Sequence, residues 1–125
     1  MSDNQIQSEE LQAKILFLED EKAVFLEQMQ SILKMIEGLL IKIPSWIIYE
    51  DDGIKKLVCS FAFSNYQQSV DFTNKIANLA EKEDHHPEIL LEWGKVTVTW
   101  WSHKINGLHM NDFICASKTD DLYKN

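Results

Sequence analysis

Pro44 is the residue that most constrains how this chain can fold. The run from residue 5 to 43 ahead of it has no proline, a single glycine (Gly38) and many strong helix formers. Apolar residues recur at Leu11, Ile15 and Leu18, then at Phe25, Met29, Ile32, Leu33, Ile36, Leu40 and Ile43. Steps of three and four place them in one stripe, so the run reads as helix, in one piece or two. Pro44 has no N–H to give and its ring clashes with the preceding turn, which stops the helix there. A helix of this length exceeds its share of a small core. It either packs on another subunit or bends back onto its own domain, and the pattern alone leaves both open.

Beyond Pro44 the period changes from helical to alternating. Trp46–Tyr49 is aromatic and β-branched, and Glu50-Asp51-Asp52-Gly53 supplies a turn. In the partner run, Leu57 to Phe63, the residues Leu57, Cys59, Phe61 and Phe63 share one face. Ser64 and Gln67 stand at capping-box spacing and predict a helix start, with the helix running to about Glu83. A second hairpin follows. Ile89–Trp93 forms one arm, Gly94-Lys95 the turn and Val96–His103 the other arm, in which Val96, Val98 and Trp100 share a face. A last helix is expected from His109 to about Tyr123. The fold class is therefore α+β: a four-stranded antiparallel sheet with helices packed on one face, in the order α-β-β-α-β-β-α, plus an N-terminal helical extension. The domain boundaries expected are 1–38 for the extension and 39–125 for the folded domain.

Composition excludes several classes of function. The net charge is −8, with 20 acidic residues against 12 lysines and no arginine, so a nucleic-acid surface and bidentate guanidinium–phosphate recognition are not expected. No charge-free stretch approaches the ~18 residues of a membrane span, so no membrane partner is expected. The N-terminus has no basic and apolar signal segment, and Cys59 and Cys115 lack CxxC pairing. Reduced thiols and a cytoplasmic location are the expectation.

Chemistry-bearing residues gather where the chain reverses. His85 and His86 lie between the second helix and the third strand, and Pro87 holds His86 extended. His103 stands at the expected end of the fourth strand, and Glu81, Glu83, Asp84 and Glu88 crowd the same region. Imidazole titrates nearest neutrality, so such a cluster suits proton transfer. A histidine pair at a helix end also serves as a dipole partner or a plain surface residue. A metal site of His85, His86, His103 and a carboxylate is a further reading. It is disfavoured because adjacent residues in an extended segment point apart.

The segment Glu81-Lys82-Glu83-Asp84-His85-His86-Pro87 resembles the signature of the pterin-4a-carbinolamine dehydratases. The resemblance continues through Val96 to Ser102-His103, then Gly107-Leu108, Asp112 and Ala116. It reaches back to Trp46, Phe61-x-Phe63, Tyr66 and Phe72, covering about Leu39 to Tyr123. A third histidine 17 residues after His86, and an aspartate nine after that, make the match specific. What the resemblance implies is a hydro-lyase of tetrahydrobiopterin recycling. It would remove water from 4a-hydroxytetrahydropterin to give quinonoid dihydropterin, with no cofactor and no metal. The catalytic set implied is His85, His103, His86 and Glu81, with Glu81 orienting His103. The substrate-binding set implied is His85, His86, Pro87, Ser102, His103, Lys104, Ile105 and Asp112. The partners implied are the pterin, a second copy in a homodimer or homotetramer, and the pathway of an aromatic amino-acid hydroxylase. An alternative carried by the same family is a non-enzymatic dimerisation cofactor, acting as a transcriptional coactivator. Two positions depart from the pattern: Ser102 replaces the usual threonine, and His109 stands where the family has a hydroxyl that would cap the last helix. Histidine caps poorly, and His109 is expected at the surface.

Overall fold

The computed structural model describes residues 3–124. Helix α1 spans Asp3–Lys42 as a single uninterrupted element, not two pieces. The strands and remaining helices follow as β1 (Ile47–Asp51), β2 (Ile54–Ala62), α2 (Tyr66–Glu83), β3 (Glu88–Glu92), β4 (Lys95–Trp100) and α3 (Met110–Lys124). The chain divides into two units, Met1–Gly38 and Leu39–Asn125. Among the described residues no helix is long and apolar enough to cross a membrane.

In the second unit four antiparallel strands form one sheet in the order β1-β2-β4-β3. The register pairs Leu57 with Trp100, Cys59 with Val98 and Phe61 with Val96, which puts the alternating apolar residues of both central strands on one face. All six are buried there. Phe72, Ile76 and Ala80 of α2, with Phe113, Cys115 and Ala116 of α3, close over that face. Each large side chain so buried contributes about 1.5–3 kcal/mol. Leu39, Leu40 and Ile43, at and just beyond the end of α1, join the same core. Trp46 precedes β1 instead of opening it; its indole N–H donates to Asp120 Oδ1 at 2.9 Å.

Local signals are displaced by one residue at two points. The N-cap of α2 is Asn65, whose side chain accepts from the Gln68 N–H at 2.8 Å, while Gln68 Oε1 accepts from the Ser64 N–H at 2.9 Å. The expected Ser64–Gln67 box therefore forms one position later, because Asn and Ser cap equally well and a glutamine follows each at the right spacing. The second hairpin turns at Trp93-Gly94, with Glu92 opposite Lys95, and not at Gly94-Lys95. Gly94 has a φ of 71°, which an L side chain resists. Strand β4 ends at Trp100, so His103 lies in the following loop and not on the strand.

Candidate active site

Helix α2 ends by delivering its next residues to the site. Asp84 takes a left-handed conformation (φ 50°); its N–H donates to the Glu81 carbonyl at 3.3 Å, and the His85 N–H donates to the Ala80 carbonyl at 3.1 Å. This paired bonding is the Schellman termination, and it reverses the chain within one residue. His85 is thereby turned inward. Its ring stacks on buried Trp100, with centroids 5.4 Å apart and planes inclined by 16°. Its Nε2 meets Asp112 Oδ1 at 2.5 Å.

Asp112 is the hub of the site. It is wholly buried and sits in the first turn of α3, where the helix dipole favours a negative charge. Besides His85, its carboxylate accepts from Ser102 Oγ at 2.8 Å and from the His109 N–H at 2.8 Å. The bond to the His109 N–H is the return half of a capping box, which ties the start of α3 to the His85 corner. A carboxylate can only accept, so His85 carries its proton on Nε2 and Nδ1 is the nitrogen left for exchange.

His86 points the other way. Its Nε2 meets Glu81 Oε1 at 2.9 Å on an exposed surface. Glu81 was expected to orient His103; five residues across the helix end bring it to His86 instead. His103 Nε2 donates to the His86 carbonyl oxygen at 3.4 Å, and its ring lies 4.5 Å from that of Trp101. The loop that carries His103 is closed by the Ser102 N–H donating to the Gly107 carbonyl at 2.8 Å. Glu83 and Lys118 form an ion pair joining α2 to α3 nearby; that bond holds the Glu83 carboxyl below its usual range and the lysine above its own.

These elements enclose a cavity of about 720 Å³, lined by Asp84, His85, His86 and Ser102–Ile105, with His109–Asn111 and Ile114 from the α3 side. Small-molecule sites typically run to roughly 300–1,000 Å³. Of the residues proposed from sequence, His85, His86, Ser102, His103, Lys104 and Ile105 meet at this cavity. Glu81 and Pro87 stand outside its wall, and Asp112 lies behind it with no exposed surface, so its reach is to His85 and not to a ligand. His109 is exposed, as expected, and also borders the cavity; its Nδ1 accepts from the Asn111 N–H at 3.4 Å. Met110, Asn111 and Ile114 were not singled out from sequence; the one available signal was a helix start close after the His103 loop. Among the described residues no group of three or more His, Cys, Asp or Glu is arranged to hold a metal ion.

Comparison with known proteins identifies the family. The family profile described as pterin 4 alpha carbinolamine dehydratase matches residues 30–122, the larger part of the chain. The chain belongs to this family. Curated relatives named "Putative pterin-4-alpha-carbinolamine dehydratase" include one from Marinobacter nauticus, 58% identical over 87 residues, which are 70% of this chain and 78% of that protein. Another, from Saccharophagus degradans, is 53% identical over 88 residues, again 70% of this chain and 78% of the relative. Among solved structures, a transcriptional coactivator/pterin dehydratase from Brucella melitensis superposes with a TM-score of 0.62 at 30% identity, covering 70% of this chain and 92% of that one. A pterin dehydratase-like protein described as a RuBisCO assembly factor in the alpha-carboxysome gives a TM-score of 0.54 at 25% identity, covering 63% and 89%.

Proposed function

We propose that this chain dehydrates 4a-hydroxytetrahydropterin to quinonoid dihydropterin by histidine acid–base catalysis. One observation carries the reading: a histidine backed by a buried carboxylate opens onto a ligand-sized cavity that His86, His103 and His109 share. The carboxylate of Asp112 stabilises a positive charge on His85 and keeps its Nδ1 turned to exchange. In the imidazolium form, His85 gives its Nδ1 proton to the departing 4a-hydroxyl, so the C4a–O bond breaks with release of water. The N5 nitrogen supplies the electron pair that replaces that bond and loses its proton to His103. The exposed position of His103 lets solvent take the proton away and reset the pair. His86, held by Glu81, borders the ring together with Ile105 and Lys104. Each such proton transfer typically contributes about 10²–10⁴ in rate. A pterin-dependent aromatic hydroxylation is the class of reaction that supplies this substrate, which makes a hydroxylase pathway the natural setting. A cavity of this kind supports an enzyme more directly than a cofactor of transcription.

The purified chain is expected to accelerate formation of the quinonoid product from a 4a-hydroxypterin, followed by absorbance. His85→Ala and His103→Ala should each remove most of that acceleration while the far-ultraviolet dichroism stays native. Full activity in the doubly substituted protein would end the assignment.

A further inference from the structure

We infer that the N-terminal part of α1 is a self-recognition element, pairing parallel and in register with the same helix of a second copy of this chain. This goes beyond the proposed activity. Most of the segment also precedes residue 30, where the family match begins.

The argument starts from exposure. No residue of the 40-residue helix is buried, although Leu11, Ile15, Leu18, Phe25, Met29 and Ile32 are large and apolar, at 43–61% exposed. A lone helix is marginal in water and takes its stability from packing one face. These six side chains follow a heptad. Leu11, Leu18, Phe25 and Ile32 fall every seven residues, and Ile15, Lys22, Met29 and Ile36 occupy the complementary position four residues after each. Sustained over three heptads and more, that spacing is the seam of a coiled coil, with the first set at d and the second at a.

Charge then selects the occupant and its direction. The extension carries eight carboxylates against three lysines, a balance that would repel a copy of itself if the charges met at random. Asp3, Glu9, Glu10, Asp20, Glu27 and Glu37 all fall at the outward positions b, c and f. Only Glu19 and Glu21 flank the seam. In a parallel, in-register pair, Lys14 at g reaches Glu19 of the copy at e, five residues on, and this happens on both sides. Between Leu11 and Ile36 the one polar residue in the seam, Lys22, sits in a hole bordered by Glu21 of the copy. A lone polar residue at an a position is a device that sets register and orientation. The helix is therefore complementary to itself in one arrangement.

Single cysteines test this in the full-length protein, because its own Cys59 and Cys115 are buried and do not compete. Leu18→Cys and Ile32→Cys are each expected to give a covalent dimer on mild oxidation, seen on a non-reducing gel, while Asp20→Cys stays monomeric on the gel. An antiparallel pair cannot bring both Leu18 and Ile32 beside their own copies, so crosslinking of only one would overturn the inference. So would absence of crosslinking at both, as expected if a different protein covers the seam, or crosslinking of Asp20→Cys as efficient as at the seam. Lys14→Glu should raise the concentration needed for the crosslink by roughly three- to tenfold, and adding Glu19→Lys should restore it. Failure of the restoration would remove the parallel register even if the helices associate. Neither outcome depends on dehydratase activity.

Discussion

Replacing Asp112 by asparagine changes one atom in the buried hub and tests the logic of the site. The carboxylate of Asp112 now accepts three bonds: one from His85 at Oδ1, two from Ser102 and the His109 N–H at Oδ2. Asparagine keeps one acceptor oxygen. Two donors compete for it on the Ser102–His109 side, and a backbone N–H at a helix start has no other partner, so the oxygen settles there. The amide NH₂ is left facing His85 Nε2. That contact can only be satisfied if Nε2 becomes the acceptor and the proton moves to Nδ1. His85 would then be locked in the opposite tautomer, without the negative charge that supports its protonated form. In serine-hydrolase triads the equivalent change costs about 10⁴ in rate with geometry intact.

A loss of about 10²–10⁴ in the dehydration rate is therefore expected, at little change in substrate affinity, because Asp112 does not touch the cavity. Folding should suffer far less. Exchanging charge-assisted bonds for neutral ones costs about 1–2 kcal/mol here, which lowers the melting temperature by roughly 4–8 °C. Nitrogen-15 chemical shifts of His85 give the readout that separates positioning from mere structure: protonated Nε2 in the wild type, protonated Nδ1 in the variant. Asp112→Asn with wild-type turnover, or with an unchanged His85 tautomer and the same loss of rate, would refute this account.

Three further outcomes follow from packing and ionisation. Gly94→Ala should destabilise by about 1–2 kcal/mol in chemical denaturation, since φ is 71° and an added Cβ would stand 3.0 Å from the Phe63 carbonyl oxygen. Thr119→Val keeps the shape but strands the buried Trp100 indole N–H, now 3.1 Å from Thr119 Oγ1, and should cost about 1–3 kcal/mol. Burial pushes the Cys59 and Cys115 thiols up from 9.0 to about 11. Both should resist alkylation at pH 8 until the protein is unfolded. Because the folded values lie above the unfolded ones, stability is fully present below pH 9 and should decline between pH 9 and about 11. A flat profile across that interval, or rapid native labelling, would contradict the burial.

Much of this architecture was legible because periodicity is local. The alternation in Leu57–Phe63 and Val96–Trp100 named the core face of the sheet, and the same residues pair across β2 and β4. Errors arose where neighbours compete for one role. Ser64 and Asn65 both can cap, and Gln67 and Gln68 both follow at the right spacing, so local sequence does not choose between them. Gly94 marks a turn but does not say whether it is the first or second turn residue. The histidines could be named from sequence, yet their partners could not. Glu81 reaches His86 and not His103 because the left-handed Asp84 sets the angle of the chain, and nothing in residue spacing encodes that angle. His109 is at the surface as expected; what its spacing did not show is that it also borders the cavity and shares the capping of α3 with Asp112.

Under the proposed function, that arrangement links catalysis to folding through a single side chain. Asp112 completes the start of α3 and orients His85 with the same carboxylate, so the geometry at His85 depends on α3 being docked on the sheet. A buried carboxylate is costly unless it is well hydrogen-bonded, and here its three donors come from just beyond the end of α2, from the Ser102 loop and from the residue that precedes α3. Three segments distant in sequence are held to one geometry by that requirement. The hydroxyl at position 102 is then explained without reference to substrate: serine or threonine would serve, since what Asp112 needs there is an O–H. Ser102→Thr should leave both stability and turnover near wild type, and Ser102→Ala should weaken both by removing one of three donors. If Ser102→Ala instead abolished turnover with stability intact, the hydroxyl would belong to the ligand and not to the hub.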